Sequence, residues 1–412
     1  MVDPALGVAV GWNHFFAQTS YVIFEATIIN TLVEYWGYDQ SPAILITVSL
    51  LFYLAINVWR ADLFSEAEFW LALAKVILAV GLIFYTIVVM LGGNPLNDRF
   101  RFRYWKDPGV WAGDDAGSRL KSFINAVNVA GFVMGGPEYI SMIAGESLNP
   151  RRTVPRAFKT IIQRLMIFFI SGCLCVGILV PYNDKAFISM ERLQIPVLPS
   201  IVTAVLITTI VSAGNAYTFN TSRSLHALAL EGQAPKFLRR LNNKGVPYLA
   251  VIVVMALACL ASLALGSTSA KILNWILNFC TAATMLNWTV MAITWIRFNA
   301  AMKAQVIDRE TSLPVRSRFQ PYVGYRAFCC AFIFLWFKDM PSSSAATGAR
   351  QLSSSITVLL LLRVVSVLGG NCSRRLGFIV LRRAHRHEHE VAPQNLKDKI
   401  LAKIFEQIVG NR

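Results

Sequence analysis

The sequence predicts an all-α, polytopic membrane protein, and three observations carry that prediction. Of 412 residues, 55% are hydrophobic and 15% are charged, against roughly 25% charged in an average soluble domain. The mean hydropathy is +0.51. The apolar residues gather into runs approaching or exceeding the ~20 residues that cross a bilayer as a helix. Basic residues collect in alternate connections between those runs. A soluble protein of this length needs a polar skin, which this composition cannot supply. A disordered chain, a coiled coil and a collagen-like fibre are excluded, and a water-soluble enzyme is disfavoured.

Eight runs qualify as spans: residues 5–36, 43–59, 69–91, 118–144, 161–180, 197–219, 246–266 and 272–296. Trp and Tyr mark many of their ends, as in an interfacial belt. Two further candidates are shorter than a comfortable span: Ala327–Phe337, and Ile356–Leu368, which contains Arg363. Between them, Pro341 to Gly348 reads as a flexible linker. After Gly369 the chain turns basic, with Arg374, Arg375, Arg382, Arg383 and Arg386. Two domains are therefore expected, a membrane domain over 1–370 and a basic cytoplasmic tail over 371–412. No cleavable signal peptide is expected at Met1.

The net charge is +16, from 39 Lys+Arg and 23 Asp+Glu. A basic excess can signal nucleic acid. Here the cations sit between long apolar runs, so the expectation is cytoplasmic loops and no nucleic-acid partner. Loop 149–160 carries Arg151, Arg152, Arg156 and Lys159 without an acid. Loops 223–245 and 297–322 are similarly basic, whereas 37–42 has no Lys or Arg and 92–120 and 181–196 are mixed. This alternation places 149–160, 223–245 and 297–322 in the cytoplasm, and both termini with them.

Polar groups at membrane depth are functional candidates by default. The fourth run is interrupted by Gly131-Phe132-Val133-Met134-Gly135-Gly136-Pro137-Glu138-Tyr139. Pro137 removes a backbone donor and Gly135 and Gly136 are poor helix formers, so the helix should break here. Such a break is tolerated only inside protein or beside a water-filled cavity, and broken helices build midplane sites in secondary transporters. A tight small-xxx-small crossing through Gly131 and Gly135 would not need Pro137 and Glu138 beside it. Glu25 lies in the first run, and its spacing from His14 and Gln18 puts the three on one helix face. Burial disfavours the charged form of a carboxyl group, which suits one that accepts and releases protons, although a structural interhelical hydrogen bond explains it equally well. The stretch from Ser212 through Asn215 to Arg223 is small and polar, fit to line a pathway or to pack a neighbour.

Other signals point away from an enzyme. No phosphate-cradling loop, His-Glu-x-x-His or Gly-x-Ser-x-Gly occurs. The seven cysteines have no zinc-ribbon spacing and read as inert thiols. His385, His387 and His389, with Glu388 and Glu390, read as a solvated tail rather than a metal site. No cofactor and no metal are expected.

Several ordered motifs resemble the fungal amino-acid permeases of the amino acid–polyamine–organocation superfamily. Gly135-Gly136-Pro137-Glu138-Tyr139, Ala144-Gly145-Glu146 and Asn149-Pro150-Arg151-Arg152-Thr153-Val154-Pro155-Arg156-Ala157 resemble that family's sixth helix and following loop. Ser212-Ala213-Gly214-Asn215 and Ala227 to Lys236 are similar to its eighth helix and loop, Asp3-Pro4-Ala5-Leu6-Gly7 to the entry of its third, and Glu66 to Trp70 to the entry of its fifth. The resemblance runs from about residue 2 to residue 336. It implies an incomplete five-plus-five inverted-repeat (LeuT-like) transporter bundle that takes up amino acids with protons by alternating access. In that likeness, backbone acceptors for the substrate ammonium fall on Met134, Gly135 and Gly136, with Phe132 beside them. Glu138 follows the break, Ser212 and Asn215 lie near the substrate, and Glu25 or Glu138 couples the proton. The implied partners are an amino-acid substrate, a proton as coupling ion and the lipid bilayer, at the plasma membrane. The chain is expected to lack the family's first two helices, and the Ser- and Arg-rich stretches after Trp336 read like a shifted frame or altered splice. The alternative is a non-transporting membrane protein, such as a sensor or an inactive truncated permease.

Overall fold

The computed structural model describes residues 3–38, 40–59, 61–111, 113, 115–136, 138–140, 149–182, 198–265, 269–307, 313 and 319–337. Among the described residues every regular element is a helix. The first helix, α1, is Pro4–Val33. Asp3 starts it: its carboxylate accepts from the N–H of Ala5 at 2.7 Å and of Leu6 at 3.4 Å. Pro4 takes the first helical position, where its missing N–H costs nothing. A single 3-10 turn, Glu34–Trp36, closes on Gly37 at φ +72°, a left-handed stop that glycine supplies without strain.

Next come α2 (Pro42–Trp59) and α3 (Ala61–Met90). A loop carries the one-turn α4 (Arg103–Lys106). Then α5 runs Ala116–Val133, capped by Asp115, which accepts from the N–H groups of Gly117 and Ser118 at 3.0 and 3.2 Å. The two segments α6 (Pro150–Arg164) and α7 (Ile170–Leu179) are joined through a π turn, Leu165–Phe169. Following them are α8 (Leu198–Leu230), α9 (Tyr248–Ala258) with a 3-10 extension Cys259–Leu265, α10 (Ser269–Ala304) and α11 (Tyr322–Phe337).

Among the described residues four helices, Glu68–Met90, Pro150–Leu179, Leu198–Leu230 and Leu273–Ala304, are long and apolar enough to cross a membrane, and Pro42–Val58, Tyr248–Ser262 and Tyr322–Leu335 are shorter apolar helices. Helix ends depart from the hydropathy bounds in one direction at the basic flanks. The expected loop 149–160 is helical from Pro150, α8 continues through Arg223 to Leu230, and α10 continues through Arg297 to Ala304. Hydropathy records where lipid ends, whereas the backbone hydrogen-bond ladder runs on into water until a residue breaks it. The short Ala327–Phe337 run likewise becomes a 16-residue helix. Ile356–Leu368, the linker and the basic tail lie outside the described residues.

The core sits among α1, α2, α8 and α9. Phe15, Val22 and Ala26 meet Leu50 and Tyr53, Leu225 and Ala229, and Ala250, Val254 and Ala258. Many of these contacts are alanines with no exposed surface. Helices in lipid gain nothing from the hydrophobic effect by associating, so close approach through small side chains does the work. Loop 231–247 ties the same helices together at one end. Trp12 Nε1 donates to the Gln233 carbonyl at 3.3 Å, Arg239 Nε to the Ala229 carbonyl at 2.6 Å, and Asn242 Nδ2 to the Val58 carbonyl at 3.3 Å. On the outside, α3 and α6–α7 expose Phe69, Trp70, Ile77, Phe84, Ile167 and Ile170, the surface expected to face acyl chains.

Candidate functional site

The fourth run breaks where its glycines predict. The helical ladder of α5 ends at Val133, and Met134 caps it with its N–H on the Ala130 carbonyl at 2.9 Å. Gly136 has φ +131°, a conformation open to glycine and strained for other residues. Its N–H donates to Glu138 Oε2 at 3.2 Å, and Tyr139 N–H returns to the Gly136 carbonyl at 2.9 Å. Pro137 and residues 141–148 lie outside the described residues. Gly131 and Gly135 divide the two roles that spacing alone left open. A Cβ on Gly131 would lie 2.5 Å from Met285 Cε of α10, so Gly131 serves a helix crossing. A Cβ on Gly135 would lie 3.1 Å from the Tyr21 hydroxyl, so Gly135 serves the break.

The last four carbonyls of a helix have no partner within it. The Phe132 carbonyl accepts instead from the Tyr21 hydroxyl of α1 at 3.3 Å, and the same hydroxyl is 3.3 Å from Thr284 Oγ1 of α10. The Tyr21 ring lies between Phe132, at 5.0 Å between centroids, and Tyr217 of α8, stacked at 4.8 Å and 16°. Phe24 meets Phe132 edge-on at 4.9 Å, and Tyr139 meets Tyr217 at 5.9 Å and 83°. The break is thus walled by aromatics from α1 and α8. The Met134 side chain points outward, 41% exposed.

Ser212 and Asn215 are buried, and their hydrogen-bond partners lie on other helices than α5. Ser212 Oγ donates to Glu68 Oε2 at 2.6 Å and accepts from Lys75 Nζ at 2.7 Å, while Lys75 and Glu68 pair at 3.2 Å. Asn215 Oδ1 accepts from Asn57 Nδ2 of α2 at 2.7 Å. One hydroxyl therefore completes an ion pair on α3, and one amide ties α8 to α2. The α8 residue against the break is Tyr217.

Glu25 connects the two regions. It interacts electrostatically with Tyr21 and Tyr217 on the side of the break and with Lys75 and Tyr53 on the side of α3 and α2. Glu138 interacts with Tyr21 and Tyr139, and Gln18 lies beside Tyr139. His14, expected on the face of Glu25, is drawn elsewhere. Asn13 Nδ2 donates to Asn287 Oδ1 at 2.8 Å and to the Ala283 carbonyl at 2.9 Å, and His14 Nδ1 is 3.4 Å from Asn287 Nδ2. That cluster fastens α1 to α10.

Tyr21 and Lys75 escaped the sequence reading, and Tyr217 enters it only as a member of the polar stretch from Ser212 to Arg223. Nothing next to either tyrosine in the chain marks it as a wall of the break. Lys75 had a legible signal, as the one cation inside the third run. Among the described residues no group of His, Cys, Asp or Glu could hold a metal ion. The His385–His389 stretch lies outside them.

Comparison with known proteins gives the same direction. The family described as "Amino acid permease" matches residues 1–375, which carries the likeness past Trp336. General amino acid permease AGP2 of Saccharomyces cerevisiae is 38% identical over 360 residues, 81% of this chain and 60% of that protein. The proline-specific permease of the same yeast is 34% identical over 345 residues, 78% of this chain and 54% of the relative. Its lysine-specific permease is 30% identical over 378 residues, 87% and 62% respectively. The chain thus spans little more than half the length of these relatives. With its helices, its break and this match over most of its length, the chain belongs to the amino acid permease family of multi-pass membrane proteins.

Proposed function

We propose that the chain carries amino acids across the plasma membrane, coupled to protons, by alternating access around the end of α5. One observation carries the reading: α5 stops at Val133, and its terminal main chain, Phe132 to Gly136, meets Tyr21 of α1 with Glu25 close by. Carbonyls at a helix end suit an ammonium group, since they are acceptors with no helical partner. The relatives' names span proline, lysine and dicarboxylic amino acids. Main-chain recognition suits such a set, because it reads the part that all amino acids share. Met134, Gly135 and Gly136 supply that recognition, with Phe132 as an aromatic wall. Glu25 or Glu138 takes the proton. Ser212 and Asn215 hold α8 against α3 and α2 behind Tyr217. Residues 1–370 form the transport domain and 371–412 a basic tail, with both termini cytoplasmic.

The test is uptake of labelled amino acids by permease-deficient yeast expressing the chain, with surface protein quantified. Uptake that collapses with a protonophore is expected. Uptake indifferent to the gradient overturns proton coupling alone. No uptake of any amino acid by surface-resident protein overturns transport and favours a non-transporting membrane protein.

A further inference from the structure

The helix that begins at Pro150 carries a feature transport does not use. Pro150–Leu179 is one candidate span of 30 residues. At about 1.5 Å per residue it is about 45 Å long, against a hydrocarbon core of about 30 Å. About ten residues must therefore stand outside the core. Composition decides which: the five cations of this helix, Arg151, Arg152, Arg156, Lys159 and Arg164, all lie in its N-terminal half, and no acid occurs from Asn149 to Pro181. Arg152, Arg156, Lys159 and Gln163 recur at steps of four, three and four, which aligns them on one face. All four are exposed, while Val154, Ala157, Ile161 and Leu165 on the other side are half-buried. Just beyond the cations, Met166, Ile167 and Ile170 are 59%, 62% and 58% exposed. Charge bias between leaflets asks only for cations in the loop. It asks neither for their alignment nor for an exposed apolar column in continuation.

We propose that this face binds an anionic glycerophospholipid of the adjoining leaflet, its headgroup on Arg152, Arg156 and Lys159 and an acyl chain along Met166, Ile167 and Ile170. The fork of a guanidinium matches a phosphate with two parallel hydrogen bonds. The column of cations above a column of apolar side chains matches one lipid from headgroup to chain. Each cation near an anionic surface strengthens binding about fivefold. The inference rests on the multi-pass membrane assignment and is independent of transport.

The full chain, purified in mild detergent, is titrated with phosphatidylserine and with phosphatidylcholine, and bound lipid is read by native mass spectrometry. Phosphatidylserine is expected to bind at least about tenfold better. The variant R152Q/R156Q/K159Q should lose on the order of a hundredfold in phosphatidylserine affinity. R297Q/K303Q/R326Q, which removes as many exposed cations from α10 and α11, should keep it. I167N/I170N should weaken binding with all charges in place. Size-exclusion profiles verify folding, and if the triple variant fails there, K159Q alone, at about fivefold, decides. Equal affinity of wild type and the charge variant overturns the proposal. So does competition by glycerophosphoserine at the same concentration, because the site would then hold a free anion and not a lipid.

Discussion

Adding one methyl group at Gly214 should destabilise the protein, while adding it at Gly172 should not. Both glycines lie inside helices, α8 and α7. A Cβ on Gly214 would stand 2.5 Å from Tyr53 Cζ and 2.8 Å from Cε2, and would also overlap the hydroxyl oxygen. Tyr53 has no exposed surface and is set in the core among α1, α2, α8 and α9, so the ring has nowhere to withdraw. Overpacking of this kind costs about 1–3 kcal/mol, and the upper part of that range applies because the obstacle is a ring and not the end of a flexible chain. Alanine returns about 1 kcal/mol over glycine through helix propensity. The net loss for Gly214→Ala is therefore about 1–2 kcal/mol. A Cβ on Gly172 meets nothing within 4 Å. Gly172→Ala keeps the propensity gain of up to about 1 kcal/mol. At roughly 2 °C per kcal/mol for larger domains, the two variants should separate by about 4–6 °C in thermal midpoint. Heating the detergent-solubilised proteins and measuring the surviving monomer by size exclusion reads this directly. In the Gly214→Ala background, Tyr53→Leu should recover part of the loss, since the two sites share one contact. The packing argument fails if Gly214→Ala melts at or above Gly172→Ala.

Three further outcomes follow from other contacts. Asn13→Ala removes the donor to Asn287 Oδ1 and to the Ala283 carbonyl. It should cost about 1 kcal/mol, and the double variant with Asn287→Ala should cost less than the sum of the two, read by thermal midpoint. Gly136→Ala forces a side chain onto φ +131° at a cost of roughly 1–3 kcal/mol. Uptake per surface molecule should fall, whereas Gly81→Ala, whose Cβ meets nothing within 4 Å, should transport normally. Lys75→Ala leaves Glu68 without its cation and should lower the thermal midpoint further than Ser212→Ala, which leaves the Lys75–Glu68 pair in place. The reverse order would show that the hydroxyl linking α8 to α3 contributes more than the ion pair within α3.

What the amino-acid order determined by itself were the features that depend on near neighbours. The all-α class follows from apolar runs of membrane length. The starts of α1 and α5 follow from Asp3 and Asp115, whose carboxylates reach only two or three residues ahead. The stop of α5 follows from poor helix formers at Gly135 and Gly136. Hydropathy found the long apolar helices but set their ends short, because the helix expected from residue 161 is already helical from Pro150, through its basic flank. Tertiary structure alone decided which polar group meets which. Tyr21 and Phe132 are 111 residues apart, Lys75 and Ser212 are 137 apart, and Asn13 and Asn287 are 274 apart. His14 and Glu25 share a helix face in projection but serve different neighbours, α10 in one case and α8, α2 and α3 in the other. Helical periodicity says which residues point the same way. Only packing says what stands opposite, because an aromatic wall and an aromatic core are identical in a string of residues and differ solely in the helix that faces them.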